Sequence, residues 1–283
     1  MLECVPNVSE GRRQPVIDTL ARACGSALLD VHTDADHHRS VFTLAGPGER
    51  DAFDAASRLA EAVAEAIDIR EHDGVHPRLG ALDVAPFVAL GNRPEDAVAA
   101  ARAFADWVWR ALDVPVFLYG DAHPDHRSLP DVRHDAFVRC QPDLGPPEPH
   151  PRLGAVAVGA RPPLVAVNCW LDDDDLTLAD SIARAVRERD GGLRGVRALG
   201  LELASRGAVQ VSMNLVELEA TGVERACTEV RRLAQASGRE VTKVEVVGLL
   251  PCAELARCSK PFRAWAGLDD ELTIEARLAA LTS

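Results

Sequence analysis

The chain has 283 residues, of which 47% are hydrophobic and 27% charged, and its formal net charge is −13. This length and composition predict a globular protein of one large domain or two smaller lobes. The negative charge makes nucleic acids poor partners, because phosphate groups bind to basic surfaces. No apolar run reaches the roughly 20 residues that cross a bilayer, and the first residues do not have the pattern of a signal peptide. We therefore expect a cytoplasmic protein without nucleic-acid or membrane partners.

The first half of the chain alternates between apolar strand patterns and amphipathic helix patterns. Strands are predicted over residues 2–5, 27–31, 39–45, 81–90, 115–119 and 154–158. Helices are predicted over residues 15–23, 50–67 and 94–112. Residues 120–151 are rich in Pro, Asp, Arg and His and show little periodicity, which predicts a long ordered loop.

The second half has a clearer order, strand–helix–strand–strand–helix–strand, which is typical of ferredoxin-like domains. Its predicted strands are 164–170, 196–203, 208–216 and 241–247, and its predicted helices are 176–189 and 222–236. The first half has a similar order with additional elements. We therefore predict an α/β (α+β) fold of two ferredoxin-like lobes, residues 1–161 and 162–283. Each lobe is expected to have a mixed β-sheet with helices on one face, and the two bare sheet faces are expected to face each other.

The segment from His72 to Asp83 holds the sharpest candidate for chemistry, His76. Pro77 stiffens the backbone beside His76 and disfavours a helix there. An imidazole titrates near neutral pH, so His76 can both accept and release a proton. The alternatives are an ordinary loop histidine and a metal site that His76 would form with His72.

Two further residues of this segment are candidates for binding. Arg78 either binds a carboxylate or forms an ion pair with Asp83. Gly80 lets the backbone approach a ligand closely.

The opening loop and the next strand add polar candidates. Asn7 or Ser9 caps the helix that follows, or backbone amides and Arg12 bind an anion there. Arg39 begins a strand, and its guanidinium points into a cleft or lies exposed. The proline-rich segment 145–154 either forms a wall against a flat ligand or joins the lobes.

Polar side chains also alternate along one strand of the second half. Gln210, Ser212 and Asn214 are two residues apart and therefore share one face of this strand. If this face is buried, its polar groups need hydrogen-bond partners, which a polar cleft would supply. The alternative is that the three side chains lie on a solvated outer face.

Several segments together resemble the formiminotransferase family. They are residues 3–11, 76–84, 117–120, 159–161, 208–215 and 247–251. The resemblance implies a homodimer in which each chain has two α/β lobes with facing sheets. It also implies a site in the cleft between the lobes for tetrahydrofolate, which is a co-substrate. No metal is expected. It implies transfer of a formimino group between N-formimidoyl-L-glutamate and tetrahydrofolate in histidine breakdown. His76 is then the catalytic residue, residues 145–154 form the folate-binding loop, and no cyclodeaminase domain is expected.

Both substrates carry carboxylates, and Arg39, Arg78 and Arg152 are predicted to bind them. The full set of expected substrate- or folate-binding residues is Asn7, Ser9, Glu10, Arg12, Arg39, Arg78, Gly80, Asp83, Gly145, Arg152, Gly154, Gln210, Ser212 and Asn214.

The chain also departs from the family pattern near this expected site. Val75 stands where a glutamate is usual, and His38 and Trp170 each stand where an asparagine is usual. The region between Tyr119 and Gly145 is shortened. Because of these departures, formyl transfer on folate stays an alternative function. Two others are a folate-binding protein without catalysis and a metal-dependent hydrolase.

Overall fold

The structure of the protein, a computed structural model, describes residues 1–74, 78–91 and 93–281. The chain divides into two compact units, Met1–Pro162 and Pro163–Ser283. Within the described residues, no helix is both long enough and apolar enough to cross a membrane.

The first unit contains the strand and helix order that the sequence predicts, with additions. Its strands are β1 (Leu2–Cys4), β2 (Asn7–Val8), β3 (Leu28–Asp34), β4 (Arg39–Ala45), β5 (Leu82–Ala89), β6 (Val116–Gly120) and β7 (Val156–Ala160). Its helices are α1 (Gln14–Cys24), α2 (Asp51–Ala66), α3 (Pro94–Leu112) and α4 (Leu129–Asp135).

The sheet of the first unit is mixed, as predicted. Strands β1 and β2 are separated by Val5 and Pro6, and both lie between β4 and β5 with antiparallel pairing. Strand β3 pairs with the other edge of β4. Strands β7 and β6 extend the sheet beyond β5, and the three run parallel. The ferredoxin-like part therefore carries a parallel extension formed by the additional elements.

The prediction that helices cover only one face is wrong for this unit. One face packs on α1, α2 and α3 through buried residues such as Phe42 and Phe87. Successive side chains of a strand point to opposite faces, so Phe117 and Tyr119 of β6 lie on the other face. There they pack against Val132 of α4, which covers this end of the sheet. Residues 120–151 therefore contain a helix rather than only a loop.

The second unit has the predicted strand–helix–strand–strand–helix–strand order. It consists of β8 (Val165–Leu171), α5 (Leu176–Val186), β9 (Val196–Leu203), β10 (Ala208–Leu215), α6 (Val223–Ala236) and β11 (Val241–Val247). Three short helices follow that the sequence analysis did not predict: α7 (Cys252–Arg257), α8 (Lys260–Ala266) and α9 (Ile274–Leu281).

The second sheet is antiparallel throughout, in the order β11–β8–β10–β9, which corrects the prediction of a mixed sheet. Helices α5 and α6 each connect strands that are two positions apart, so neighbouring strands run in opposite directions. Val209, Val211 and Met213 of β10 belong to the buried core with α5 and α6. The residues between them lie on the helix-free face. That the two sheets face each other stays a prediction from the resemblance.

Candidate functional site

Loops from four parts of the first unit meet where β2 ends and β5 begins. The backbone amide of Ser9 donates to the carbonyl oxygen of Ala81 at 2.8 Å. The Ser9 hydroxyl donates to the carbonyl oxygen of Gly80 at 2.8 Å. The Ser40 hydroxyl donates to the carbonyl oxygen of Glu10 at 2.6 Å. The opening loop is thereby fixed to the starts of both β4 and β5.

The segment before β7 joins the same region through two glycines. Gly80 and Gly154 form an isolated bridge between their backbones. A Cβ on Gly80 would lie 2.3 Å from the carbonyl oxygen of Leu153, and one on Gly154 would lie 2.3 Å from that of Leu79. The backbone that Gly80 lets approach therefore belongs to the chain itself, in the predicted folate-binding loop.

Two histidines stack beside these loops. The rings of His38 and His72 are 4.1 Å apart between centroids and tilted by 26°. The amide of Gly11 donates to Nδ1 of His38 at 3.0 Å, which requires an unprotonated nitrogen. Burial lowers the pKa of His38, although the charge of Glu10 opposes this shift. His38 is therefore held as a neutral imidazole.

The predicted catalytic residue His76 lies outside the described residues, so its role stays a prediction. The residues that flank it on either side are well anchored. The Arg78 guanidinium donates to the carbonyl oxygen of Gly74 at 2.5 Å, and another of its nitrogens lies 2.6 Å from Nε2 of His72. The amide of Leu79 donates to Asp83 Oδ1 at 2.7 Å.

The buried carboxylate of Asp83 forms an ion pair with Arg133 and acts electrostatically on Arg39 and Arg78. We refer to these three arginines as the guanidinium cluster. Arg133 of α4 forms the ion pair with Asp83, at 2.5 Å, which corrects the predicted alternative of an Arg78–Asp83 pair. Arg39 donates to Oδ1 of Asn7 at 3.0 and 2.5 Å. Burial lowers the pKa of Arg39 to about 10. The negative charge of Asp83 opposes this lowering, whereas the positive charges of Arg133 and Arg78 add to it. Arg39 thus still carries its charge at neutral pH.

Glu10 and Arg12 hold the opening loop together. The Glu10 carboxylate is buried and accepts hydrogen bonds from the amides of Arg12 and Arg13 at 2.8 and 2.9 Å. Burial alone would raise the pKa of Glu10, but these bonds and the Arg13 guanidinium lower it. The Arg12 guanidinium donates to Asp73 at 2.5 Å and to the carbonyl oxygen of Ala35 at 2.9 Å.

The side chain of Arg152 lies apart from the guanidinium cluster. Its guanidinium donates to the carbonyl oxygen of Ala64 in the last turn of α2. Gly145 adopts a φ of +96° and packs against Pro115 and the ring of Trp109. In the described contacts, both residues support the position of the loop that was predicted to bind folate.

In the second unit, Gln210, Ser212 and Asn214 share the helix-free face of β10, as predicted. Gln210 is buried, Ser212 is half-buried and Asn214 is exposed, so this face is only partly open to solvent. Asn168 and Trp170 on β8 lie directly opposite Ser212 and Gln210.

A charged network continues across this face. Glu245 Oε2 accepts from Asn168 Nδ2 and from Trp170 Nε1, both at 3.3 Å. Arg206 and Lys243 lie 4.5 and 4.6 Å from the Trp170 ring centroid, which is within cation–π range. Two cations therefore lie within reach of the Trp170 ring.

Within residues 1–74, 78–91 and 93–281, no group of three or more His, Cys, Asp or Glu side chains has an arrangement that could hold a metal ion. His72 instead contacts Gly74, Arg78 and His38. The predicted metal alternative also involves His76, which lies outside the described residues.

Comparison with known proteins assigns both units to one family. Residues 1–161 match the N-terminal subdomain of the formiminotransferase domain, and residues 166–271 match the formiminotransferase domain. The chain belongs to the formiminotransferase family. It is 38% identical over 271 residues to the glutamate formimidoyltransferase of Streptococcus pyogenes serotype M1, and the match covers 90% of each chain. Identity to the glutamate formimidoyltransferase of Thermoplasma acidophilum is 36%, over 98% of this chain and 97% of that protein.

Longer relatives of this family match over only part of their length. The formimidoyltransferase-cyclodeaminase of Mus musculus is 36% identical over 90% of this chain, and the chain covers 51% of that relative. The match to these longer relatives therefore extends over about half of each of them.

Arg133 is absent from the predicted site residues, because the weak periodicity of residues 120–151 predicts a loop where the structure has α4. The signal for its helix is nevertheless present. Ser128 caps the helix by accepting from the amide of Asp131 at 3.3 Å, and Pro130 lies in the first turn. A serine that is followed two residues later by a proline and three residues later by an acidic residue is typical of a helix start.

Proposed function

We propose that the protein transfers a formimino group between N-formimidoyl-L-glutamate and tetrahydrofolate, giving 5-formimidoyltetrahydrofolate and glutamate, a step of histidine degradation. One observation carries this proposal: two relatives named glutamate formimidoyltransferase align with nine-tenths or more of this chain and are themselves covered to the same extent. The anchored loops around residues 75–77 and the guanidinium cluster are consistent with this chemistry.

The proposal extends to the setting in which the enzyme works. Tetrahydrofolate is the co-substrate, and the reaction as proposed uses no metal. The partners are small molecules rather than nucleic acids or membranes. The protein acts in the cytoplasm as a homodimer.

In the proposed reaction, N5 of tetrahydrofolate attacks the formimino carbon and forms a tetrahedral intermediate. The bond from this carbon to the glutamate nitrogen then breaks, and glutamate leaves as an amine. His76 accepts the proton from N5 and returns a proton to the leaving nitrogen. General acid–base catalysis of this kind contributes typically about 10²–10⁴-fold to the rate.

Arg39 and Arg78 bind carboxylates in this proposal. The donor and folate both end in glutamate carboxylates, and a charge-assisted hydrogen bond stabilises such a group by about 1.5–3 kcal/mol. Arg78 follows His76 by two residues and is anchored to Gly74 on the other side of it. A carboxylate bound at Arg78 would therefore lie close to the reacting atoms, and orientation of two reactants is a large part of such catalysis.

Turnover of N-formimidoyl-L-glutamate with tetrahydrofolate tests the function, and His76→Ala tests the catalytic residue. We expect kcat to fall by about 10²–10⁴-fold, while folate binding in equilibrium dialysis stays unchanged. Added imidazole is expected to restore part of the activity. His126→Ala is the matched control, because His126 is an exposed loop histidine paired with Asp121. Equal losses of binding and turnover in His76→Ala would show that His76 is structural.

The same assay distinguishes the alternatives. N-formyl-L-glutamate offered in place of the formimino donor tests formyl transfer. Folate binding without turnover of either donor would identify a binding protein without catalysis.

A further inference from the structure

Helix α4 occupies a fixed position on the face of the first sheet that α1, α2 and α3 leave bare. Val132 in its middle is buried against Phe117 and Tyr119. The Arg127 guanidinium just before it donates to the carbonyl oxygen of Leu118 at 2.6 Å. Residues at the start of the helix and on its buried side thus hold α4 against β6. Arg133, the next residue after Val132, is therefore held in a defined place.

Asp83 connects Arg133 to the loop that contains His76. Asp83 is only 2% exposed as a residue, and both of its carboxylate oxygens accept hydrogen bonds. Oδ1 accepts from the amide of Leu79 at 2.7 Å, and Oδ2 accepts from Arg133 at 2.5 Å. Leu79 directly follows Arg78, so one buried carboxylate links α4 to the end of this loop.

Arg133 keeps an unused donor close to other cations. The charges of Arg133 and Arg78 both act on Arg39, together with the opposite charge of Asp83. The Arg133 side chain is only 19% exposed. Among the described residues, its buried Nε–H has no hydrogen-bond acceptor. A buried donor of a charged group is costly to leave without an acceptor, so an anion that supplies one would be bound favourably.

We propose that Arg133 is a specificity-determining residue that binds a glutamate carboxylate of the substrates together with Arg39 and Arg78. Asp83 is its positioning residue. This inference rests on the proposed function. Both the formimino donor and the tail of folate carry such a carboxylate, and guanidinium groups bind carboxylates with directed, paired hydrogen bonds.

The test compares Arg133→Ala and Arg133→Lys with Arg139→Ala. Arg139 is the matched control, because it follows α4 closely but pairs with Asp135 in an exposed position. For Arg133→Ala we expect the KM of one substrate to rise about 10–100-fold, the equivalent of one charge-assisted hydrogen bond, with kcat changed less than about 3-fold. A rise confined to the donor identifies its carboxylate, and a rise confined to tetrahydrofolate identifies the folate tail. Arg133→Lys keeps the ion pair with Asp83 but not the forked donor, so an intermediate rise is expected.

Binding of a carboxylate and a purely structural role give different results with a modified donor. N-formimidoyl-L-glutamine lacks the side-chain carboxylate. If Arg133 binds this carboxylate, Arg133→Ala loses the preference for the glutamate donor over the glutamine donor. For the folate tail, the corresponding comparison is tetrahydrofolate against tetrahydropteroate, which lacks the glutamate. Equal losses for both members of each pair, or no loss in any KM, would overturn the proposal.

Failure of the proposed function would be recognised separately, because wild-type protein would then not turn over. In that case calorimetric titration with L-glutamate and with tetrahydrofolate decides the inference. Weaker binding of either to Arg133→Ala, with unchanged binding to Arg139→Ala, would support the carboxylate site. Equal binding to wild type and Arg133→Ala would refute it.

Discussion

Replacement of Glu10 separates a structural role from a ligand-binding role at the opening loop. The sequence placed Glu10 among the substrate- or folate-binding residues, whereas its carboxylate lies inside the loop. It accepts hydrogen bonds from the amides of Arg12 and Arg13 and from the Arg13 guanidinium, the last at 2.5 Å. In this position it holds the turn that leads into α1. We therefore expect Glu10→Ala to lower the stability of the first unit before it lowers the affinity for any ligand.

The size of the effect follows from these contacts. A hydrogen bond to a charged group contributes about 1.5–3 kcal/mol, and the Glu10 carboxylate accepts from two amides and one guanidinium. Water replaces some of these bonds when the carboxylate is removed, so we expect the free energy of unfolding to fall by about 2–4 kcal/mol in Glu10→Ala. Glu10→Gln keeps an acceptor for the amides and is expected to lose about half as much.

Urea unfolding, followed by tryptophan fluorescence, measures this loss. With a slope of about 3 kcal/mol per molar urea at most, the midpoint is expected to fall by roughly 1 M in Glu10→Ala. Asp18→Ala is a suitable control, because Asp18 is an exposed acid on α1 that accepts from Gln14. An unchanged midpoint in Glu10→Ala together with weaker substrate binding would refute the structural role and indicate that Glu10 contacts the ligand.

Two further predictions concern the same loops. Gly80→Ala is expected to cost at least about 2–3 kcal/mol in urea unfolding, because its Cβ would lie 2.3 Å from the carbonyl oxygen of Leu153. Gly238→Ala is the control: a Cβ there would meet no atom within 4 Å, although Gly238 has a φ of +72°. It is expected to cost only about 1 kcal/mol of unfolding free energy. Equal losses in the two variants would contradict the steric reason. The lowered pKa of His38 predicts stability that is complete above the ordinary imidazole pKa and declines as the pH falls towards the lower folded-state value. Thermal midpoints measured against pH should show this decline in wild type but not in His38→Asn, and identical profiles would exclude His38 as its source.

Periodicity was sufficient to predict most of the fold. The second unit follows the predicted order because its apolar residues alternate cleanly on β10 and recur at helical spacing on α5 and α6. The missed helices are short. Helix α4 has 7 residues and α7 has 6, too few for a helical period to stand out from the sequence. Capping residues were the better signal for two of the short helices, because Ser128 caps α4 and Ser259 caps α8.

The sequence indicated most residues of the candidate site, but it did not indicate which groups those residues contact. The sequence placed Asp83 and Arg78 five residues apart, and a local ion pair was the natural expectation. The partner of Asp83 is instead Arg133, 50 positions along the chain, and this pairing depends on α4 crossing to the bare face of the sheet. Likewise, Gly80 suggested close approach of a ligand, whereas the approaching backbone is that of the segment around Leu153. Residue type indicated the chemistry, but only the tertiary structure decides which partner each group has.

The placement of charge explains how an acidic protein can bind acidic substrates. The net charge of −13 repels anions at long range, but exposed charges are screened beyond about 10 Å at ordinary ionic strength. The guanidinium cluster acts at short range and is partly buried, where salt screens much less. Glu10, a nearby acid, is occupied by amides and Arg13, and Asp73 is paired with Arg12. Asp83 holds Arg133 in place by forming an ion pair with it. The proposed binding of a carboxylate therefore depends on donors at short range and not on the charge of the rest of the surface.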